Sequence, residues 1–188
     1  MGELQRGGDR TLGVRRSLRL GGETDGKWNY DWSTYKYELG TDSRGPFSKY
    51  VTKSIYGTVD YKTVLDPEDD AAHVKWGGSW RMPVDAEWEE LINNCRWTWT
   101  SDYNGTDIAG WIVTSYNAGY TDKTLFFPAA GCRIGSGLDH VGSYGDYWSS
   151  SLDPDYSGFA WGIGFDSGYV GRYGRYRDNG FSVRPVTE

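Results

Sequence analysis

The sequence predicts an α+β domain in which two helices precede a series of short strands. Helix signals are confined to residues 66–94, and short strand-like segments bounded by Gly, Asn, Asp or Pro follow from Cys95 onward. The length of 188 residues fits one domain. Aromatic residues make up 16% of the chain, which excludes a disordered protein because such chains lack the apolar surface that offsets their ordering entropy. No apolar run approaches the roughly 18 residues of a membrane helix.

The first helix is predicted to begin at Asp66. This residue is a favourable N-cap, Pro67 suits the first helical position, and the following acidic residues favour the positive end of the helix dipole. Gly77 and Gly78 are expected to end the helix. The acidic run 66–70 could also suggest a calcium site, but the ligand spacing of an EF-hand is absent, so a capped helix is the favoured interpretation.

A second helix is predicted after a cap at Asp85, with no helix beyond Asn94. Asp85 can cap it, and Trp88, Leu91 and Ile92 follow the i, i+3, i+4 spacing of one buried face. The three glutamates in its early turns are explained by the helix dipole and need no acid/base role. No helix is predicted after it.

Seven segments that begin at Cys95 are predicted as strands, because several alternate apolar and polar residues and turn formers separate them. They are residues 95–100, 110–116, 125–134, 144–151, 159–167, 168–173 and 180–186. The serine run 149–151 is interpreted as part of a core strand and turn.

The charge and the cysteine count exclude several partners and sites. The net charge is −6, and the first 20 residues hold five arginines, so the acidic excess lies in the rest of the chain. Nucleic acid is therefore not expected as the main partner, since phosphate binding needs a basic surface. Cys95 and Cys132 are too few for a disulfide framework or a cysteine zinc site; they either pair or remain as buried thiols. No cofactor and no metal site is predicted.

Residues 1–22 look unlike the rest of the chain. All 31 aromatic residues lie between Trp28 and Phe181, and the leader has neither strand alternation nor a helical stripe nor the apolar core of a signal peptide. A flexible basic tail is one explanation. The other is a frame-shifted reading, because suitable codons for this segment, read one base later, spell WANCNVGATAPSEYGDRSAWG. Residues 23–188 are predicted to form the single domain.

Five motifs resemble the Fibrobacter succinogenes major paralogous domain family. They are WSTYK, DPEDDAAHVKWGGSWRMPVDAEWEELINNCRWTWT, LFFPAAGCRI, GDYWSSSL and GFSVRPV, and the resemblance extends from about Gly22 to Val186. That family is similar to the formylglycine-generating-enzyme branch of the C-type lectin fold. The resemblance implies a C-type lectin-like domain, with two helices packed on a small twisted antiparallel sheet, long irregular loops, and terminal strands that lie together.

Some members of this lectin-fold group are variable proteins of diversity-generating retroelements, in which asparagine-type codons near the C-terminus are mutated at adenines. The resemblance therefore suggests a variable region at residues 147–186. Between Asp153 and Asn179 the chain has no Lys, Glu, Gln or Met, and most loop-like positions can derive from an Asn codon by adenine changes. The arginines at 172, 175 and 177 are ambiguous in this respect. An ordinary Gly/Tyr/Asp-rich turn region would look similar.

The predicted ligand-binding positions share this codon signature, or, for Arg175, the chemistry of a contact residue. They are Asp153, Asp155, Tyr156, Gly158, Phe159, Gly162, Gly164, Asp166, Tyr169, Gly171, Tyr173, Gly174, Arg175, Tyr176, Asp178 and Asn179. Tyrosine gives large contact area at low entropic cost, so Tyr156, Tyr169, Tyr173, Tyr176 and Arg175 are the expected anchors.

The predicted function is that of a ligand-binding domain of receptor or adhesin type, without enzymatic activity. Its expected partner is a protein or glycan on another cell or on a phage, and its expected location is the cell surface or the extracellular space. Alternatives are a structural surface domain without diversification and calcium-independent carbohydrate binding; the EPN, QPD and WND triplets of calcium-dependent sugar binding are absent. A formylglycine-generating enzyme would need a cysteine pair in the C-terminal region, where this chain has none. With only His73 and His140 available, no Ser-His-Asp or Cys-His arrangement can be argued.

Overall fold

The computed structural model describes Lys27 and residues 29–187, so the predictions for residues 1–22, including the frame-shift, lie outside the described residues. This part of the chain contains two α-helices, α1 (Ala71–Trp76) and α2 (Asp85–Asn94), and eight strands. The strands are β1 (Cys95–Thr100), β2 (Gly110–Ser115), β3 (Thr124–Pro128), β4 (Cys132–Ile134), β5 (Gly137–Asp139), β6 (Gly145–Leu152), β7 (Phe159–Phe165) and β8 (Val170–Tyr176). The predicted α+β class is confirmed. Neither helix has the length or the apolar run that crossing a bilayer requires.

The strands form three antiparallel sheets: β1-β2-β3, β4-β5 and β6-β7-β8. Six of the seven predicted segments contain strand, β1 with the predicted bounds. The prediction for residues 180–186 is wrong, since this segment makes only isolated bridges, such as Tyr147 to Ser182 and Arg81 to Val186. Strand β5 was not predicted.

The sheet β6-β7-β8 separates two hydrophobic clusters, because successive side chains of a strand point to opposite faces. Trp148, Leu152 and Ala160 belong to a cluster with the tyrosines of the N-terminal segment. Tyr147 and Ile163 belong to a second cluster, with Trp88 of α2 and the aromatic residues of β1–β3. This sheet therefore contributes side chains to both clusters.

Helix α1 begins later than predicted, and its cap is a different residue. Residues Pro67–Asp69 form a 3-10 turn, and Asp70 is the cap, accepting hydrogen bonds from the backbone N–H groups of Ala72 and His73. Asp66 makes no capping bond and instead pairs with Lys49 and Lys62. Gly77 ends the helix as predicted.

Helix α2 ends at the predicted residue and has the predicted buried face, with Trp88 buried and Leu91 and Ile92 packed on the second cluster. Asp85 is not its cap. The carboxylate of Asp85 accepts hydrogen bonds from Arg172 of β8, so it fastens the helix to the sheet.

Candidate functional site

On one face of the sheet β6-β7-β8, the middle strand β7 carries only small residues. The register aligns Asp146 of β6 with Gly164 of β7 and Gly171 of β8, and it aligns Trp148 with Gly162 and Tyr173. On this face β7 therefore carries only Ala160, Gly162 and Gly164. Because β7 has no large side chain here, groups on β6 and β8 can meet across it.

A cleft of about 380 Å³ opens on this face, which is a size typical of small-ligand pockets. It combines a carboxylate, a guanidinium, an imidazole and a thiol with apolar walls. Its lining residues are Cys132, Ile134, His140, Tyr144, Asp146, Arg175, Asn179 and Phe181.

Asp146 is the most unusual group in the cleft. Its side chain is 5% exposed, and its Oδ1 makes no hydrogen bond within the described part of the chain. The nearest cation is Arg175, whose Nε lies 3.7 Å from that oxygen, beyond hydrogen-bond length. Burial raises the pKa of Asp146 to about 6, although the charge of Arg175 acts in the opposite direction.

Two tyrosines form an aromatic edge beside this carboxylate. The rings of Tyr169 and Tyr173 are 6.2 Å apart, and the guanidinium of Arg175 lies 4.6 Å from the centre of the Tyr173 ring. Desolvation and a hydrogen bond with Tyr169 raise the pKa of Tyr173 to about 12, so the Tyr173 hydroxyl is neutral at physiological pH. The ring of Tyr169 folds over Gly171, where a Cβ would lie 2.5 Å from the tyrosine hydroxyl.

A second aromatic group lies at the other end of β8. The rings of Tyr56, Tyr156, Phe159, Tyr176 and Trp32 are linked in that order by centroid distances of 6.3, 5.9, 4.6 and 6.0 Å. We call this set the aromatic ribbon. Lys53 and Asp155 form an exposed ion pair next to it.

The structure divides the predicted binding positions between these two places and the protein interior. Five are exposed: Asp155, Tyr156, Asp166, Tyr169 and Tyr176. Five are half-buried: Asp153, Phe159, Tyr173, Gly174 and Arg175. Six are buried: Gly158, Gly162, Gly164, Gly171, Asp178 and Asn179.

The buried positions cannot all carry exchangeable side chains. A Cβ at Gly158 would lie 2.1 Å from the carbonyl oxygen of Ser43, and one at Gly162 would lie 2.4 Å from that of Tyr147. These two glycines are therefore framework residues, which corrects their assignment to a binding surface. Gly174 differs, since no atom lies closer than 3.7 Å to a Cβ there.

The two other ambiguous arginines also belong to the framework. Arg172 pairs with Asp85 and Glu89 of α2. Arg177 is fully buried; its guanidinium lies 4.7 Å from the Phe47 ring centre and donates a 3.0 Å hydrogen bond to the carbonyl oxygen of Tyr50.

The acidic run near α1 brings three carboxylates together, those of Asp66, Glu68 and Asp69. The ammonium of Lys49 contacts all three, at 2.7, 3.3 and 2.5 Å respectively. This lysine already provides the positive charge that a cation would bring, and the cluster is explained as an ion-pair network.

The two cysteines are free thiols. Cys132 is buried, and burial raises its pKa to about 11; burial also raises the pKa of Cys95. Both thiols are therefore protonated at neutral pH and are poor nucleophiles.

Sequence reasoning did not select Asp146, Tyr144 or His140 as site residues. A signal for Asp146 was present, because GDYW places a charge within an otherwise core-forming strand, and charged residues are rarely buried without a partner. The sequence signal for His140 and Tyr144 is weaker, since both lie in a turn of ordinary composition.

The family described as Domain of unknown function (DUF8237) matches residues 97–186, slightly less than half of the chain. The matched range begins within β1 and includes every residue of the cleft. No curated protein and no solved structure matches the chain.

Proposed function

We propose that this chain is a ligand-binding domain of receptor or adhesin type, with a C-type lectin-like scaffold and a binding surface formed by β7, β8 and their flanking loops. The observation that carries the proposal is the exposure of Tyr156 and Tyr169, in the loops before β7 and β8, and of Tyr176 at the end of β8, at 57, 57 and 44% respectively. The partner is a protein or a glycan displayed on another cell or phage.

The chemistry of this surface suits macromolecular recognition. Tyrosine and arginine are enriched at interface hot spots, and exposed tyrosines supply contact area with little conformational entropy to lose. The aromatic ribbon and the Tyr169–Tyr173 edge provide two such areas, and ring contacts within each hold the side chains in place.

Diversification of this surface is part of the proposal. Support comes from the overlap between the Asn-codon signature and exposure, because Asp155, Tyr156, Asp166, Tyr169 and Tyr176 can change without entering either core. The flanking DNA tests it. A near-repeat of the 147–186 coding region with Asn codons at these positions, beside a reverse transcriptase gene, is expected; sister copies that vary on α1 and α2 instead would contradict it.

The cleft contains the Cys132 thiol, whose properties favour a binding role over nucleophilic thiol chemistry. The thiol of Cys132 is protonated at neutral pH, as its raised pKa requires, so it lacks the thiolate that nucleophilic catalysis needs.

The binding surface is tested with matched pairs of tyrosines. The variant Tyr169→Ser/Tyr176→Ser removes two residues of the proposed surface, and Tyr116→Ser/Tyr120→Ser removes two comparably exposed residues, at 63 and 46%, outside it. Both are compared with the unmodified chain on an array of purified bacterial surface proteins and glycans. We expect saturable binding to at least one probe, weakened about tenfold or more only in the first variant. Equal loss in both variants, or no saturable binding by the unmodified chain, would overturn the proposal.

A further inference from the structure

We infer that Asn104 is a site of spontaneous covalent modification, at which the side-chain amide is converted to aspartate and isoaspartate with water as the co-reactant. The chain contains two Asn-Gly pairs, Asn104-Gly105 and Asn179-Gly180. Within the described residues, only the first pair combines an exposed amide with a backbone nitrogen that makes no hydrogen bond. The inference concerns the loop between β1 and β2 and does not depend on the proposed binding function.

Asn104 and Gly105 form the corner of a tight turn. The backbone N–H of Thr106 donates a 3.2 Å hydrogen bond to the carbonyl oxygen of Tyr103, and the two residues between them have positive φ, 54° and 73°. This is the pattern of a type I′ turn, for which Asn-Gly is a favoured pair because both residues tolerate positive φ. The turn therefore explains why these two residue types are adjacent here.

The Asn104-Gly105 pair is open to solvent. Both residues are exposed, and neither the side-chain amide of Asn104 nor the backbone N–H of Gly105 makes a hydrogen bond within the described part of the chain. A Cβ built on Gly105 would meet no atom within 4 Å. Rotation of the backbone at Asn104 can therefore bring the Gly105 nitrogen against the side-chain amide carbon without displacing a packed side chain.

The conversion of Asn104 balances with water alone. The Gly105 nitrogen, after losing its proton to solvent, bonds to Cγ of Asn104; the Cγ–Nδ2 bond breaks, and Nδ2 takes a proton and leaves as ammonia, which gives a five-membered cyclic imide. Water then adds to either imide carbonyl carbon. Breaking the new Cγ–N bond gives aspartate. Breaking the original bond between the Asn104 carbonyl carbon and the Gly105 nitrogen gives isoaspartate, whose main chain is longer by one methylene.

Asn179-Gly180 is the same dipeptide in a protected environment. Asn179 is 8% exposed, the Gly180 N–H donates a 2.9 Å hydrogen bond to the carbonyl oxygen of Arg133, and a Cβ on Gly180 would lie 2.6 Å from the Tyr30 ring. Attack by the Gly180 nitrogen requires loss of this hydrogen bond and local opening of the packed segment, and the free energy of that opening slows the reaction. The two pairs therefore differ in environment and not in chemistry.

The test uses the full folded chain, which contains its own control. The chain is incubated at mildly alkaline pH, where more of the attacking backbone nitrogen is deprotonated, and samples are digested with trypsin at intervals. Cleavage after Lys and Arg places Asn104 in the peptide 97–123 and Asn179 in the peptide 178–188. Mass spectrometry, with chromatographic separation of the aspartyl and isoaspartyl forms, follows both peptides. We expect the amide of Asn104 to be converted at least about ten times faster than that of Asn179.

Three controls separate the environment of Asn104 from its chemistry. In guanidinium chloride, which unfolds the chain, Asn104 and Asn179 are expected to be converted at similar rates. Asn117 is exposed in the same peptide as Asn104 and precedes Ala118, whose Cβ hinders attack, so conversion there should be slower. The variant Asn104→Gly tolerates the positive φ and lacks the amide, so ion exchange of the intact folded variant should show far less of the acidic product that accumulates in the unmodified chain.

Two results would overturn the inference: Asn179 is converted as fast as Asn104 in the folded chain, or Asn104 of the folded chain keeps its amide over the period in which the unfolded chain loses it. None of these measurements involves a ligand, so the proposed function would stand or fall separately.

Discussion

Asp146 Oδ1 and Arg175 Nε lie 3.7 Å apart on opposite strands of a sheet whose middle strand carries only small residues on that face. The two charges are near enough to interact and too far apart for a hydrogen bond. Asp146 and Arg175 therefore form an ion pair without a direct hydrogen bond. Asp85 and Arg172, on the opposite face, are the same residue types and form direct hydrogen bonds.

The first prediction concerns the pH dependence caused by Asp146. Its folded pKa of about 6 exceeds the ordinary value of 3.8, so the native state binds the proton more tightly than the unfolded chain. The stability that protonated Asp146 contributes is therefore fully present below about pH 4 and is lost as pH rises through 6. We expect the unfolding free energy of Asp146→Asn, minus that of the unmodified chain, to increase by roughly 3 kcal/mol from pH 4 to pH 8. Urea unfolding at several pH values measures this difference.

The comparison isolates Asp146 together with its interactions with neighbouring groups, because groups distant from Asp146 titrate alike in both proteins. His140, Tyr144 and Cys132 share the cleft, and Arg175 holds the pKa down, so Arg175→Gln should move the transition to higher pH. A difference between Asp146→Asn and the unmodified chain that stays constant from pH 4 to 8 would show that Asp146 is not buried as described.

The second prediction separates framework glycines from exchangeable ones. Gly162→Ala places a Cβ 2.4 Å from the carbonyl oxygen of Tyr147, and this backbone atom cannot move without disturbing the sheet. We expect a loss of about 2 kcal/mol or more in unfolding free energy. Gly174→Ala meets nothing closer than 3.7 Å and is expected to stay within about 0.5 kcal/mol. Equal effects in urea unfolding would contradict the assignment.

Local patterns predicted the strands well because alternation is a property of neighbouring residues. β1 was predicted with its bounds, and β7 begins at the predicted residue. Residues 180–186 look similar but make only isolated bridges, because their partners come from several elements rather than from one strand. Such a difference depends on tertiary contacts that a single segment does not encode.

The N-cap of α1 was also predicted wrongly because a local sequence rule does not include tertiary contacts. Asp66 and Asp70 both satisfy the local rule for an N-cap, and distant residues decide between them. The carboxylate of Asp70 also accepts a 2.8 Å hydrogen bond from Met82 N–H, whereas Asp66 pairs with Lys49 and Lys62. Asp85 was assigned as a cap for the same local reason, although Arg172 is its partner.

The candidate site was only partly predictable. Composition pointed to residues 153–179 as a surface rich in tyrosine, and five of the predicted positions are exposed. The division into a cleft and an aromatic ribbon depends on the register of β6, β7 and β8, which composition does not contain. The cleft also needs residues from β4 and from the turn before β6, far from the predicted positions in sequence.

The third prediction concerns Arg177. Arg177→Lys loses the planar group that contacts Tyr35 and Phe47 at 5.1 and 4.7 Å and donates to the carbonyl oxygen of Tyr50. We expect a loss of roughly 2–4 kcal/mol in unfolding free energy, measured by urea unfolding. Arg44→Lys, at an exposed pair with Asp42, serves as the control and should change stability by less than about 0.5 kcal/mol. Similar values for both variants would place Arg177 on the exchangeable surface instead.

The fourth prediction concerns Asp69, which is the opposite case to Asp146. Its buried carboxylate accepts hydrogen bonds from Lys36, Lys49, Tyr37 and Tyr50, and together these hold its pKa well below the ordinary value. The stability it contributes is therefore present above about pH 4 and is lost as pH falls. Asp69→Ala leaves these donors without their acceptor, and we expect a loss of roughly 3–5 kcal/mol at pH 7.

The pH profile tests this role of Asp69 more sharply than the loss itself. The difference between Asp69→Ala and the unmodified chain should shrink as pH falls below 4, because the carboxylate of the unmodified chain then becomes protonated and its network weakens. Asp122→Ala, which removes an exposed carboxylate paired with Lys123, is the control and should cost less than about 1 kcal/mol at every pH. A cost for Asp69→Ala that is as small as that of the control, or that does not depend on pH, would mean that the lysines and tyrosines around Asp69 hold the N-terminal segment in place without it.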